Sequence, residues 1–250
     1  MTKFDKNYTP LAVLLSLGLI QNAAADDLSL GAAVGIKTSP YKGANTKASP
    51  LPFINYDSQY FFIHGLGAGI HLYKDDHNEF NVIGEYSPMG FKSGDTDDSQ
   101  LKKLNKRKST IMAGMSYIHR DIWGVIHADV MRDTSGDSNG MTSDVGYSYR
   151  FEWNKFEFTP GVGVLWSSKK QNEYYYGISQ SESLRSGLNA YDPNDSISPY
   201  VQMSLDYPFA TDWKASISAR YSVLSSQVKN SPMVDKSGVS SLGIGINYSF

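Results

Sequence analysis

The chain has no cysteine, although it reads as an exported protein, so no disulfide framework holds it together. It also has no long apolar run: beyond its first segment nothing approaches the ~18 residues that a membrane-crossing helix needs. Charge is nearly balanced, with 23 Lys and Arg against 25 Asp and Glu and a net charge of −2. There is therefore no basic stripe of the kind that holds nucleic acid. The five histidines, His64, His71, His77, His119 and His127, form no HxxxH or HExxH pair, which argues against a helical metal site. No GxSxG elbow marks a hydrolase nucleophile, and nothing asks for a cofactor. The stretch from Asp133 to Gly140 carries Asp, Ser and Asn but lacks the closing glutamate of a calcium loop, and turn chemistry explains it.

What is present begins at the N-terminus. Lys3 and Lys6 precede the apolar run 11–20, and Ala23, Ala24 and Ala25 follow before Asp26 and Asp27. That order is the pattern of a secretory signal peptide, expected over residues 1–25 and removed on export. The mature chain, 26–250, is expected to form one domain.

The C-terminus sets the theme for that domain. Leu242, Ile244, Ile246, Tyr248 and Phe250 alternate with Gly243, Gly245, Asn247 and Ser249. A period of two is a β-strand with one apolar face and one small, polar face. As a soluble edge strand it would lack the charge or proline that normally blunts an edge. It fits a strand that closes a barrel in lipid with its apolar face outward. The rhythm recurs from Leu28 to Ile36, from Tyr60 to Leu72, from Ile111 to Tyr117, from Phe156 to Trp166 and from Trp213 to Val223. The 17 tyrosines and 22 glycines suit strands with aromatic girdles, and a mean hydropathy on the polar side is no objection, because half of each strand faces a polar interior.

The expected fold is therefore all-β, a transmembrane antiparallel up-and-down barrel. Short turns belong to the periplasm and long loops to the outside, with both ends of the chain in the periplasm. Counting back from Phe250 puts the segments 225–237, 167–196 and 133–140 outside. Counting forward, the parity slips by one strand, which an extra short strand near 90–93 after a turn at Ser87 and Pro88 would repair. The total is about twelve strands, or ten if two early strands merge. Glycines 31, 35, 65, 67, 69, 161, 163, 243 and 245 then face inward. So do charges of both signs, including Lys37, Glu85, Asp129, Asp144 and Arg220, whose pairing implies a narrow lumen. Tyr174, Tyr175 and Tyr176 read as an interface girdle.

Several segments resemble the MipA/OmpV family of outer-membrane proteins. They are Ser39, Pro40, Tyr41 and Gly43; Pro52 to Tyr56; Arg107 to Gly114; Asn172, Glu173, Tyr174, Tyr175, Tyr176 and Gly177; Tyr191 to Ser196; Ser231, Pro232, Met233 and Val234; and the terminal Tyr248 and Phe250. The resemblance spans the mature chain and implies residence in the outer membrane of a Gram-negative bacterium. It also implies a non-catalytic scaffold in peptidoglycan assembly. Such a scaffold links a lytic transglycosylase of the MltA type to a bifunctional penicillin-binding murein synthase. The alternative it implies is a small channel or surface-binding, porin-like protein.

Those partners lie in the periplasm, while parity puts the family's own loops outside. Either the orientation is reversed, or these loops serve the barrel and outer contacts while short turns meet the partners. On the second reading the candidate turns hold Asp57, Ser58 and Gln59; Arg120 and Asp121; Glu152, Trp153, Asn154 and Lys155; and Pro208 to Asp212.

Overall fold

A computed structural model describes residues 27–44 and 46–250. The expected signal peptide lies outside the described residues. One antiparallel sheet runs through β1 (Asp27–Lys37), β2 (Lys47–Asp57), β3 (Phe61–His64), β4 (Gly67–Lys74), β5 (Asn78–Ser87), β6 (Thr110–Asp121) and β7 (Gly124–Asp133). It continues through β8 (Met141–Ser148), β9 (Phe151–Trp153), β10 (Phe156–Ser167), β11 (Ser196–Pro208), β12 (Trp213–Val223) and β13 (Gly238–Ser249). β8 and β9 both pair with β10 and are two pieces of one strand, broken at Tyr149 and Arg150. The last strand pairs with the first, from Ser29↔Ser249 to Lys37↔Ser241, so the sheet closes into a barrel of twelve strands.

Closure satisfies the backbone without an edge, as lipid requires. The alternation supplies the rest. Leu30, Val34 and Ile36 on β1, Ile111 and Met115 on β6, and Leu242, Ile244 and Ile246 on β13 are exposed apolar side chains on the outer wall. Their neighbours at odd spacing, Ser29, Ala33, Met112, Ser241 and Asn247, are buried. A soluble protein with this outer surface would aggregate; a bilayer covers it.

The interior is narrowed by paired charge, as the mixed signs suggested. Asp144 accepts hydrogen bonds from Tyr200 Oη (2.6 Å) and Arg220 (3.2 Å) and lies 3.1 Å from His127 Nε2. The Arg220 guanidinium sits 3.4 Å above the Tyr200 ring centroid. These contacts join β7, β8, β11 and β12 across one side of the lumen.

Three expectations need correction. No strand forms at 90–93; that stretch belongs to the long loop between β5 and β6, where Phe91 makes a lone bridge to Arg107. The parity is repaired earlier, because the run from Tyr60 to Leu72 is two strands. Gly65 and Leu66 turn the chain between β3 and β4, with Gly65 at φ +59, so Gly65 does not face the lumen. Period-two alternation continues through a two-residue hairpin turn and hides it. The third concerns the tyrosines: Tyr175 and Tyr176 are buried in a loop core, away from any lipid interface.

Candidate interaction surfaces

The long loops do not hang free. The segment 168–195 folds into α1 (Lys169–Tyr176) and α2 (Gln180–Ser186), and 224–237 holds α3 (Ser226–Lys229). Ser168, Ser179 and Ser225 cap these helices with their side chains, and Ser179 forms a full capping box with Glu182. Tyr41, Phe91, Leu101, Leu104, Tyr175, Tyr176, Ile178, Leu188, Val228 and Met233 then make one apolar core over the mouth of the barrel. Since the barrel turns its own greasy face to lipid, this cap is where a conventional hydrophobic core forms.

The family-specific segments are what build it. Tyr41 packs edge-on against Phe91 with ring centroids 5.0 Å apart, and its hydroxyl donates to the Tyr175 carbonyl (3.1 Å). The Lys42 amide donates to the Met233 carbonyl, and Tyr41 bridges to Val234. Gly43 adopts φ +61, with its α-carbon so close to the backbone of Asp97 and Asp98 that a side chain would collide. Asn172 donates to the Asn194 carbonyl (2.7 Å) and Ser196 Oγ (2.9 Å), and Ser231 donates to the Tyr176 carbonyl (2.7 Å). Ser39, Pro40 and Pro232 shape the turns that deliver Tyr41 and Met233, and Gly177 ends α1. Glu173 is half-exposed and bridges to Lys169. Tyr174 holds the Lys108 amide through its hydroxyl (2.8 Å).

One ion pair locks the cap. Arg107 donates to both carboxylate oxygens of Glu182, at 3.0 and 3.2 Å, and to the Gly177 carbonyl at 3.0 Å. Both side chains are buried. Burial by itself would raise the Glu182 carboxyl. The hydrogen bonds from Arg107 and from the Asn105 and Ser179 amides outweigh it and hold the group at about 2. Burial likewise pushes the Tyr175 phenol up to about 12. Beside this pair an open cleft of about 780 Å³ lies between residues 105–107, the two helices and residues 190–192.

The opposite rim carries the start of β1 and the end of β13: the Ser249 amide donates to the Asp212 carbonyl and the Phe250 amide to the Leu28 carbonyl. The short turns gather here. Asp57 is engaged internally by Lys74, and Ser58 is buried with its hydroxyl on the Phe61 carbonyl (2.8 Å), which leaves Gln59 exposed. Arg120 lies within β6 and bonds Glu79 (2.8 Å), so it is not a free turn residue. Asp121 is exposed, but the turn that follows it consists of Ile122 and Trp123, and Ile122 is 91% exposed. Gly124, at φ +129, closes that turn, and Tyr147 Oη donates to the Trp123 carbonyl (2.5 Å). Glu152 and Trp153 belong to β9 and are exposed, followed by Asn154 at φ +56 and Lys155. Pro208 ends β11, and Asp212 is an exposed turn residue before β12.

Two surfaces therefore exist: a packed cap of long loops at one end of the barrel, and a rim of short turns at the other, with aromatic side chains and a protruding Ile122. Sequence reasoning passed over Ile122 and Trp123 because charged Arg120 and Asp121 looked like the turn. The spacing Asp121-x-x-Gly124 was the available sign. Among the described residues no group of three or more His, Asp or Glu side chains is arranged to hold a metal.

A family model described as "MltA-interacting protein MipA" matches residues 30–250. The chain is 43% identical over 240 residues to the MltA-interacting protein of Escherichia coli (strain K12), covering 96% of this chain and 97% of that protein. It is 32% identical over 240 residues to a protein of Escherichia coli O157:H7 named "Putative outer membrane protein YiaT", covering 96% and 98%. Among solved structures it resembles an outer membrane channel from Pseudomonas putida F1, with a TM-score of 0.49 and 9% identity, over 94% of this chain and 100% of that one. That last likeness is too distant to bear on what either protein does.

Proposed function

This chain belongs to the MltA-interacting protein family of the outer membrane, and from that membership we propose that it is a non-catalytic scaffold in peptidoglycan assembly. It holds a lytic transglycosylase at the inner face of the outer membrane and links it to a bifunctional murein synthase anchored in the inner membrane. The observation that carries the reading is the 43% identity, across nearly the whole chain, to a protein named for its interaction with a transglycosylase.

The geometry suits that role. With the long-loop cap facing outward, as barrels of this kind carry their long loops, the surface open to periplasmic partners is the rim of short turns. An exposed Ile122 flanked by Asp121 and Trp123 offers an apolar anchor with a polar surround, the arrangement of an interface hot spot. A partner confined to the same leaflet meets this rim at raised effective concentration, so modest contacts suffice. The channel alternative is disfavoured by the cap and by the charge pairs inside the barrel.

The test is co-purification. Detergent-solubilised protein is presented with a purified lytic transglycosylase and, separately, a purified murein synthase. Retention of both supports the scaffold; retention of the transglycosylase alone reduces it to a one-partner anchor. Binding of neither refutes it.

A further inference from the structure

The wall of the barrel is not of even height. β3 pairs with β2 only from Asn55↔His64 to Asp57↔Phe62, after which the Gly65 amide donates to the Ile54 carbonyl (3.1 Å) and the hairpin turns back. β2 continues upward through residues 47–53, and among the described residues no strand pairs with that edge. On the other side β5 runs on to Ser87, still paired with β6 but past the end of β4. Above the gap the cap closes over: Thr96 Oγ1 donates to the Lys42 carbonyl (2.5 Å), the Asp97 amide donates to the Gly43 carbonyl (2.9 Å), and Ala44 bridges to Thr96. The mouth is roofed, and a window lies below the roof.

The edge of this window is built for lipid. A residue's amide and carbonyl point to the same side of an antiparallel strand, alternating along it. The Ile54 carbonyl faces β3, so residues 50 and 52 face the window as well, and both are proline. Each lacks the amide that would otherwise stand unpaired there, and each denies an incoming strand its ladder of bonds. Addition of a partner's β-strand is thereby ruled out as the use of this edge.

The lining changes from one side of the lumen to the other. On β1 and β2 beside the window Leu51 is buried, the Phe53 ring covers Gly31, and Ala33 abuts Gly245; on the short hairpin below it Phe62 is buried between His64 and His71, and Glu85 stands opposite Gly67 on β5. The far side carries the charged group of His127, Asp144 and Arg220. Outside the wall, Ile54 and Ile70 face hydrocarbon at the same place.

We propose that this window is a lateral portal through which the acyl chain of a single-chain amphiphile passes from the outer leaflet into the lumen. The apolar strip takes the chain, and the charged side takes the polar head. The alternative occupant, a polar solute entering through the top, is obstructed by the cap. The proposal does not rest on the scaffold reading and stands or falls separately.

The chain has no cysteine, so single thiols report cleanly. Full-length Leu51→Cys and Gln202→Cys, the latter on β11 away from the window, are reconstituted into phospholipid vesicles. Each is treated with an N-alkyl maleimide that partitions into the bilayer and with a sulfonated maleimide that does not. The alkyl reagent should label Leu51→Cys at least about tenfold faster than Gln202→Cys, a difference that corresponds to ~1.4 kcal/mol in access. Oleate should slow that labelling, and the sulfonated reagent should show no such preference. Lengthening each arm of the β3–β4 hairpin by about two residues, roughly 7 Å of strand rise, should abolish the advantage. Retained heat-modifiable gel mobility certifies that each variant is folded. Equal labelling at the two sites, indifference to oleate, or an unchanged rate in the lengthened hairpin would each overturn the portal.

Discussion

Replacing Glu182 with Gln tests whether the cap is a folded unit in its own right. The substitution keeps the shape and one oxygen acceptor, but it removes the charge that Arg107 meets through two hydrogen bonds of 3.0 and 3.2 Å. Arg107 would keep its bonds to the Gly177 and Asn105 carbonyls and remain buried as an uncompensated cation. Breaking a buried pair in this way costs about 3–5 kcal/mol. If the cap opens as a unit, amide exchange in α2 and residues 101–107 should accelerate by about two to four orders of magnitude. Strands β10 to β13 should be unaffected, because their hydrogen bonds are made within the wall. Hydrogen-exchange mass spectrometry in detergent micelles reads both regions at once.

Acidification gives the same test without mutation. The Glu182 carboxyl is held at about 2 in the folded cap, below its ordinary value of ~4.3. A depressed carboxyl stabilises the fold above the unfolded value, and that stabilisation is lost as pH falls through the window from ~4.3 toward ~2. Protection of the cap amides, taken relative to the barrel strands at the same pH, should therefore fall across that window in the native protein, while Glu182→Gln shows much less change. Unaltered cap exchange in the variant, or exchange that rises equally in the barrel strands, would refute the idea of an independent cap.

Three further outcomes follow from the geometry. Ile122→Asp should weaken capture of a lytic transglycosylase about thirtyfold, the scale of a ~2 kcal/mol hot spot, with barrel stability unchanged; titration by biolayer interferometry measures it. In planar bilayers the intact protein should be silent and a variant lacking residues 169–190 should conduct; steady current through the intact protein would contradict a closed cap. Gly114→Ala should destabilise the barrel by roughly 1–3 kcal/mol in urea titrations, because its methyl would sit 1.9 Å from the Val130 carbonyl oxygen on the neighbouring strand.

The barrel was legible in the chain because its cause is local. A strand in a barrel wall must alternate between lipid and lumen, and Leu28 to Ile36 or Leu242 to Phe250 display that alternation in their own order. Loop lengths sorted the connections into a long-loop end and a short-turn end for the same reason. The short turns were placed to within a residue or two, but their free side chains were misjudged at Arg120, whose partner Glu79 is distant in the chain. The hairpin at Gly65 and Leu66 stayed hidden because alternation runs through it unbroken.

Sequence by itself determined that the chain must close on itself in a membrane, since nothing else can satisfy apolar side chains at every second position of so many strands. Only the tertiary structure decided what the long polar loops do. Tyr41, Arg107, Tyr175, Glu182 and Met233 are scattered through the chain, and they become one core only when closure of the barrel brings their loops over the same mouth. The low rim beside Pro50 and Pro52 has the same origin: the two prolines record only that the upper part of β2 goes unpaired, while the height of the rim depends on where a neighbouring hairpin stops.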